Sequence, residues 1–430
     1  MTTDALRFWP VTDVGRVRDA NEDSFLVDKK LNLYVVADGM GGHAAGEVAS
    51  SMAVRTFRDA VARARDMLDD FERGTGNVSR KDVLRLLEGA IQEACSAIHA
   101  EAQRDETKRG MGTTLTGLLI IGSRGFIAHV GDSRCYLVRQ GSVHQLSEDH
   151  SLINELLKRG RLSKEQIDKL QYKNAVTRAV GVYESVEGDT LDFDVLAGDR
   201  FLLCSDGLHG YFEDAEYASL FDQIPEDDLS QRLVDLANER GGKDNITAVV
   251  VRVPSSESGM DKLARDVTLK LELLHKMPLF RFLTYQELVR VLNITEVRSF
   301  EAQQEVFAEG QDGDELFLVL TGRVRVHTGD AVIATLSTGQ HFGEMALVDK
   351  AARSASVSAD EPSKLLVLRR RDFFEIVRKD HDVAVKLLWS FLGVLTERLR
   401  HTSRALGRER EKDAVKDISE ELFAEIADDE

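Results

Sequence analysis

The sequence predicts an α+β protein of at least two domains, and three observations carry the prediction. The chain has 430 residues, against roughly 150 for an ordinary domain. Up to about residue 253, short apolar runs alternate with two long amphipathic segments. From Val297 to Leu368, β-type segments are punctuated by Gly310, Gly313, Gly322, Gly329, Gly339 and Gly343.

In chain order, the apolar runs at 33–37, 125–130, 201–204 and 248–251 are short enough to be buried strands. Between them, Val54, Phe57, Val61, Ala64 and Leu68 recur at intervals of three and four, as do Leu84, Leu87, Ile91, Ala94 and Ile98. Each set is one buried face of a helix. Strands with helices grouped in one place imply helices covering packed antiparallel sheets. The polar stretch 254–259 is the best boundary, which divides the chain into 1–253, a linker and connecting helix at 254–274, a second domain at 275–400 and a charged tail at 401–430. Glycine-marked turns make the second domain a small antiparallel β-roll with flanking helices. Near its end, Val385, Leu388, Leu392, Leu395 and Leu399 form a heptad-like seam that serves either a homodimer or packing on its own domain.

Asp and Glu number 74 against 56 Lys and Arg, a formal charge of −18, which argues against nucleic acid and anionic membranes as partners. The last twenty residues carry nine acidic side chains against two lysines. Cys95, Cys135 and Cys204 lack any CxxC spacing and are expected to be reduced and buried. No signal-peptide pattern or spanning apolar stretch stands in the sequence, so a cytoplasmic protein is expected.

Asp38, Asp132 and Asp206 each follow an apolar run closely, and Asp23 and Asp244 stand in the polar clusters Asn21-Glu22-Asp23 and Lys243-Asp244-Asn245. Converging carboxylates need cations, and an all-oxygen set favours Mg²⁺ or Mn²⁺ over zinc. Asp-Gly is also a common turn dipeptide, so no single instance identifies a ligand. Residues 39–44 match the G-x-G-x-x-A dinucleotide pattern, but Asp38 would set a negative charge beside the pyrophosphate, and Asp59 lies in the helical pattern where a ribose-binding acid ends a strand.

Six segments, 18–24, 36–43, 110–114, 130–134, 205–208 and 243–247, resemble in order the motifs of the PP2C-type metal-dependent serine/threonine protein phosphatases. The resemblance covers about residues 8–253 and implies an α-β-β-α sandwich with the site between the sheets at one end. It implies phosphoserine and phosphothreonine proteins as substrates. By the same resemblance Asp38 bridges two Mn²⁺ or Mg²⁺ ions, Gly39 offers its carbonyl, and Asp206 and Asp244 bind the first ion. Glu22 and Asp23 would hold metal-bound waters, Asp132 a weaker third ion, and Arg18 the phosphate. Animal members carry a histidine directly after the Asp-Gly; here Met40 stands there and His43 is the nearest histidine, so the general acid is unassigned. The stretch between Asp149-His150-Ser151 and Arg178 resembles the variable flap of bacterial members.

In the second domain, Gly343, Glu344, Met345 and Ala346 precede Arg353, Ser354 and Ala355. Glycine, a helix start and an arginine suit a small cyclic phosphate. With the roll around them, these residues resemble the phosphate-binding cassette of a cyclic nucleotide-binding domain. That resemblance implies that Gly343 and Glu344 hold the ribose, and Arg353 and Ser354 the cyclic phosphate. Serine at 354, where cGMP-selective relatives often carry threonine, leans toward cAMP over cGMP. Trp389 is expected either to cap the base or to be buried. Two rivals are a pseudophosphatase without metal and a scaffold that binds only protein through its C-terminal domain.

Overall fold

The computed structural model describes residues 6–41, 44–158, 175–254, 260–349, 352–396 and 400. His43, the core of the flap, most of the 254–259 break, Leu399 and the tail lie outside the described residues. The chain divides into two compact units, Met1–Leu269 and Lys270–Glu430.

Among the described residues, the first unit carries eleven strands: β1 (Arg7–Asp13), β2 (Asp23–Asp28), β3 (Leu33–Met40), β4 (Gly112–Thr113), β5 (Leu115–Ile121), β6 (Arg124–Val130), β7 (Arg134–Arg139), β8 (Ser142–Gln145), β9 (Asp189–Asp194), β10 (Arg200–Cys204) and β11 (Ile246–Arg252). They form two antiparallel sheets, one in the order β1-β11-β10-β7-β8 and one in the order β2-β3-β5-β6-β9 with β4 paired to β3. Strand alternation sorts the side chains into layers. Leu33, Val35 and Ala37 of β3 face α1 (Ala44–Arg63) and α3 (Arg80–Arg104), with α2 (Arg65–Arg73) beside them. Tyr34 and Val36 take the opposite face, toward the other sheet. There the Phe8 and Tyr34 rings lie 5.8 Å apart and those of Phe193 and Phe201 5.7 Å apart, closing the two sheets on each other. Of these rings Tyr34, Phe193 and Phe201 are buried, and each contributes roughly 1.5–3 kcal/mol. Leu202 and Cys204 of β10 face outward to a cluster that includes Leu229 and Leu233. The result is a helix-sheet-sheet-helix sandwich, the predicted class.

Two expectations need adjusting. The first amphipathic segment is two helices, because the chain turns at Ala64, whose N–H bonds to the Val61 carbonyl at 3.1 Å. Trp389 is neither buried nor beside the candidate nucleotide pocket: it is 65% exposed and lines a separate groove. The three cysteines are free and buried, as expected. No described helix is long and apolar enough to cross a membrane.

Among the described residues, the second unit holds eight strands in two four-stranded antiparallel sheets: β12 (Thr295–Phe300), β13 (Glu305–Phe307), β14 (Glu315–Thr321), β15 (Arg323–Thr328), β16 (Ala331–Ser337), β17 (His341–Phe342), β18 (Ser356–Ala359) and β19 (Ser363–Arg369). Phe317, Val319, Val324, Phe342, Val357, Leu365 and Val367 fill the space between them, with the Phe317 and Phe342 rings stacked at 5.1 Å. Gly322, at φ +89°, makes the tight β14–β15 turn, where a Cβ would fall 2.3 Å from Ser363 Oγ. A helix at 381–396 follows.

The first unit contains a proton-sensitive core group. His129 on β6 is 1% exposed. Its Nδ1 lies 2.9 Å from Thr116 Oγ1, and its Nε2 lies 2.9 Å from the Glu148 carbonyl. Burial, then the neighbouring His150, pushes its pKa down to about 4, against the weaker opposing pull of Asp189 and Asp149. The unfolded chain, with histidine near pKa ~6.5, therefore takes up this proton first. The stability that neutral His129 contributes is present above pH ~6.5 and falls as pH drops toward about 4, by about 2 kcal/mol at pH 5. Thermal unfolding of His129→Gln should accordingly be less acid-sensitive than that of the wild type between pH 7.5 and 5; parallel pH curves would exclude His129 as the cause.

Candidate active site

The candidate carboxylates gather where both sheets end. Asp38 lies inside β3, not after it, and alternation sets it on the inter-sheet face with Tyr34 and Val36. Asp23, the first residue of β2, is its direct cross-strand partner. From the other sheet, Asp206 opens α4 (Asp206–His209) just after β10, and Asp244 precedes β11. Asp132 follows β6 and is 7% exposed.

Hydroxyls fix these groups. Ser205 Oγ donates to Asp23 Oδ2 at 2.7 Å and Thr247 Oγ1 at 2.6 Å, so one sheet grips the carboxylate of the other. Asp38 is held by its backbone: its N–H donates to Thr114 Oγ1 at 2.8 Å, and its carbonyl accepts from Thr114 N at 2.9 Å and Thr113 Oγ1 at 2.8 Å. Gly39 has a steric cause, since a Cβ there would fall 2.2 Å from the Gly46 carbonyl oxygen and 2.6 Å from that of Glu22. A Cβ on Gly46 would in turn meet the Glu22 carboxylate at 2.7 Å. These two glycines let α1 descend onto Glu22 and β3. Arg18 Nη2 donates to Asp244 Oδ2 at 2.7 Å, both side chains partly exposed.

The electrostatics are those of a site short of positive charge. Burial, then its acidic neighbours, raises Asp38 well above the usual carboxylate range. Burial pushes Asp23 up to about 7 against the pull of the Thr247 and Ser205 hydroxyls. Asp132 likewise rises to about 7 through burial and Asp206. Burial and then Asp244 raise Asp206. Asp23 Oδ1 and Asp206 Oδ1 are buried without a hydrogen-bond partner. Crowded anionic oxygens with unspent lone pairs fit hard divalent cations. Among the described residues, no three His, Cys, Asp or Glu side chains are already closed into a chelate. Asp244 Oδ2 is engaged by Arg18 and Asp23 Oδ2 by its two hydroxyls, which leaves Asp23 Oδ1 open.

Sequence reasoning passed over Ser205, Thr247, Thr114, Gly46 and His209. His209 Nε2 donates to the Asp132 carbonyl at 2.8 Å, and burial lowers its pKa to about 4. Ser205 and Thr247 sit inside the very motifs that carry the aspartates, and their hydroxyls opposite an acid were the available signal. The two ends of the flap are clamped together, with Leu152 N donating to the Ala175 carbonyl at 2.9 Å and Thr177 N to that of His150 at 2.7 Å. His150 ties this base to the Asp132 loop by accepting from Gly131 N at 3.1 Å.

In the second unit, Gly343, Glu344, Met345, Ala346, Arg353, Ser354 and Ala355 all line one pocket of about 390 Å³. The Arg353 guanidinium lies 4.1 Å over the Phe307 ring, and its Nη2 donates to the Glu315 carbonyl at 2.9 Å. Its Nε is buried without a partner. Gly343, at φ +74°, and Gly313 flank it closely: a Cβ on Gly313 would fall 2.1 Å from that Nε. Glu344 is 5% exposed and Met345 54%.

The layered fold and the acidic end of its two sheets define a hydrolase of the α-β-β-α sandwich class, linked to a ligand-binding β-roll. Residues 16–245 match the family Protein phosphatase 2C, and residues 297–380 match the Cyclic nucleotide-binding domain. The chain belongs to the protein phosphatase 2C family; it is a serine/threonine protein phosphatase with a cyclic nucleotide-binding domain. It is 39% identical over 256 residues to the serine/threonine phosphatase stp of Listeria innocua, covering 58% of this chain and 97% of that one. It is also 39% identical over 255 residues to the serine/threonine protein phosphatase PstP of Mycobacterium tuberculosis, covering 59% of this chain and 46% of that one. Among solved structures, the M. tuberculosis phosphatase PstP/Ppp superposes with a TM-score of 0.51 at 37% identity, covering 58% of this chain and 99% of that one. The S. agalactiae serine/threonine phosphatase gives 0.52 at 35% identity, with the same coverages of 58% and 99%.

Proposed function

We propose that residues 1–253 hydrolyse phosphoserine and phosphothreonine in proteins with the help of Mn²⁺ or Mg²⁺, and that cyclic nucleotide, cAMP before cGMP, regulates this activity by binding within residues 275–400. The linker and connecting helix at 254–274 would join the two. The observation that carries the reading is the convergence of Asp23, Asp38, Asp206 and Asp244 from both sheets, with partnerless oxygens on Asp23 and Asp206. Asp38, the Gly39 carbonyl, Asp206 and Asp244 would hold two cations, with Glu22 and Asp23 orienting the solvent shell and Asp132 serving a third, weaker ion. When bound, divalent cations supply Lewis acidity, which lowers the pKa of water and screens phosphate charge. Arg18 presents a planar donor fork at the mouth of the site, suited to two phosphate oxygens. Its present bond to Asp244 keeps that fork aimed at the cleft. Thr113 and Thr114 hold the Asp38 backbone, and Ser205 and Thr247 hold Asp23 Oδ2 in place and favour its charged form against burial.

In the second unit, Arg353 and Ser354 would take the cyclic phosphate, and Gly343 and Glu344 the ribose, with Met345, Ala346 and Ala355 shaping the pocket. Two measurements on the full chain test the reading. Mn²⁺ and cAMP should each raise the unfolding temperature by mass action. Turnover of a phosphopeptide should change roughly 5- to 150-fold on saturation with cAMP. A rate unaltered by saturating nucleotide removes the regulatory half, and no Mn²⁺ dependence removes the catalytic half.

A further inference from the structure

Two loops of the first unit, far apart in sequence, meet at the mouth of the acidic site, and both bring basic side chains to it. The turn after β1 holds Arg16, Val17 and Arg18, and the segment before β11 holds Lys243 and Asp244. The loops are zipped together. Arg16 N donates to the Gly242 carbonyl at 2.7 Å, and Asn245 Nδ2 donates to the carbonyls of Val14 and Ala20, each at 2.9 Å. Two glycines permit the approach: a Cβ on Gly15, at φ +85°, would fall 2.2 Å from the Asp244 carbonyl oxygen, and one on Gly242, at φ +51°, would fall 2.8 Å from Arg16 Cγ. The Arg16 stem therefore packs on the Gly242 backbone, next in sequence to Lys243, while Arg18 holds Asp244 Oδ2.

Arg16, Val17 and Lys243 are all exposed. Among the described residues, neither the Arg16 guanidinium nor the Lys243 ammonium has a hydrogen bond or an ion pair. The acids of the same loops do not neutralise them. Asp13 Oδ1 accepts from Gly15 N at 2.8 Å and from Asn238 Nδ2 at 3.0 Å, and Asp244 is engaged by Arg18, which leaves Asp19 as the one uncommitted acid within 13–20 and 241–245. Arg16 stands two residues before the arginine that suits the phosphate, and Lys243 adjoins a candidate cation ligand. Two residues of chain span at most ~7 Å, so side chains about one to three positions from a phosphorylated residue come within reach of both cations. In a chain of formal charge −18, uncovered cations fixed at this place draw acidic groups toward the site.

We propose that Arg16 and Lys243 form a recognition rim that selects phosphoproteins carrying Asp or Glu close to the phosphorylated residue. The inference rests on the phosphatase reading above and adds to it the flanking chemistry of the substrate. Arg18 takes the phosphate, Arg16 and Lys243 take carboxylates of neighbouring substrate residues, and Val17, 65% exposed between the two arginines, offers the substrate chain an apolar contact. Both cations stand outside the reacting atoms, so they act on substrate binding. The preference therefore resides in kcat/KM, chiefly through KM, and weakens as salt screens it. One exposed ion pair gives a preference of up to about fivefold, and the two together roughly tenfold.

The test uses the full chain with Mn²⁺ and two peptides built on the same phosphothreonine, one flanked on both sides by glutamates and the other by glutamines. At low ionic strength the wild type should favour the glutamate peptide by about tenfold in kcat/KM, and the ratio should fall toward unity in about 0.5 M salt. The Arg16→Gln/Lys243→Gln double variant should bring the ratio near unity, and Arg16→Glu/Lys243→Glu should reverse it. A defect in folding or in cation binding lowers turnover of both peptides alike and leaves their ratio where it was. A ratio that stays at its wild-type value in the charge-reversed protein therefore overturns the rim. Equal hydrolysis of the two peptides by the wild type overturns the rim and leaves the phosphatase reading standing, whereas hydrolysis of neither removes both.

Discussion

Asp38→Asn is expected to lower kcat on a small phosphate ester by at least about a thousandfold, while making the cation-free protein more stable. Both effects have one cause. The Asp38 carboxyl sits opposite Asp23 on the neighbouring strand and shares a poorly solvated field with Asp206, Asp132 and Asp244. The amide keeps the size and most of the contacts, because the hydrogen bonds that place this residue run through its backbone to Thr113 and Thr114. What it removes is one negative charge. Without cations the remaining carboxylates repel less, so unfolding in EDTA should move to higher temperature. With cations, a central anionic ligand is missing. In the wild type, Mn²⁺ at 100 times its dissociation constant should stabilise by about 2.7 kcal/mol, a shift of roughly 5–10 °C, and in the variant most of that shift should vanish. An ordinary folding defect would lower stability in EDTA instead, so paired melts with and without Mn²⁺ separate the two explanations. Wild-type turnover by Asp38→Asn would mean that the site lies elsewhere.

The parts of this architecture that could be read from one sequence are those set by local pattern. Runs such as 33–37 are apolar on both faces because β3 is covered by helices on one side and by the second sheet on the other, and alternation then dictates that Asp38 shares its face with Tyr34 and Val36. The acids could be nominated for the same reason: a charge at the end of a buried strand needs a purpose. What local pattern does not carry is pairing across distance. Ser205 and Thr247 lie more than 180 residues from the Asp23 they bind, and neither hydroxyl differs in sequence from one that caps a turn. Gly46 reads as an ordinary helical residue until its approach to Glu22 is known. Trp389 misled for the converse reason: large aromatics are usually buried, and although the stripe at 385, 388, 392 and 395 is plain in the sequence, the spacing alone does not say that Trp389 lies on that exposed stripe and not on the buried face with Val383 and Leu387. The break at Ala64 carries no glycine or proline to announce it, and the three-four spacing runs straight through.

Arg353→Ala should weaken cAMP binding by at least about 100-fold, or about 2.7 kcal/mol. The guanidinium is poised for an anion. It is 9% exposed, stacked over Phe307 at 4.1 Å, and holds the Glu315 carbonyl with Nη2 while its Nε is left without a partner. A buried donor without an acceptor costs roughly 1–3 kcal/mol, and a phosphate oxygen in the pocket would supply what is missing. The stacking on Phe307 fixes the plane of the fork before the ligand arrives, so little side-chain freedom is lost on binding. Arg353→Lys keeps the charge but neither the plane nor the fork, and should fall between the two, about tenfold weaker than wild type. The alanine variant also strips the Phe307 face and the Glu315 carbonyl of their partner, so its second unit should unfold at lower temperature even without nucleotide. Affinity and melting temperature must therefore be measured together in all three proteins. If the lysine variant melts like the wild type yet binds tenfold more weakly, geometry of the donor fork is the cause. If Arg353→Ala binds cAMP as tightly as wild type, the phosphate does not sit against Arg353, and the pocket between the two sheets has another ligand.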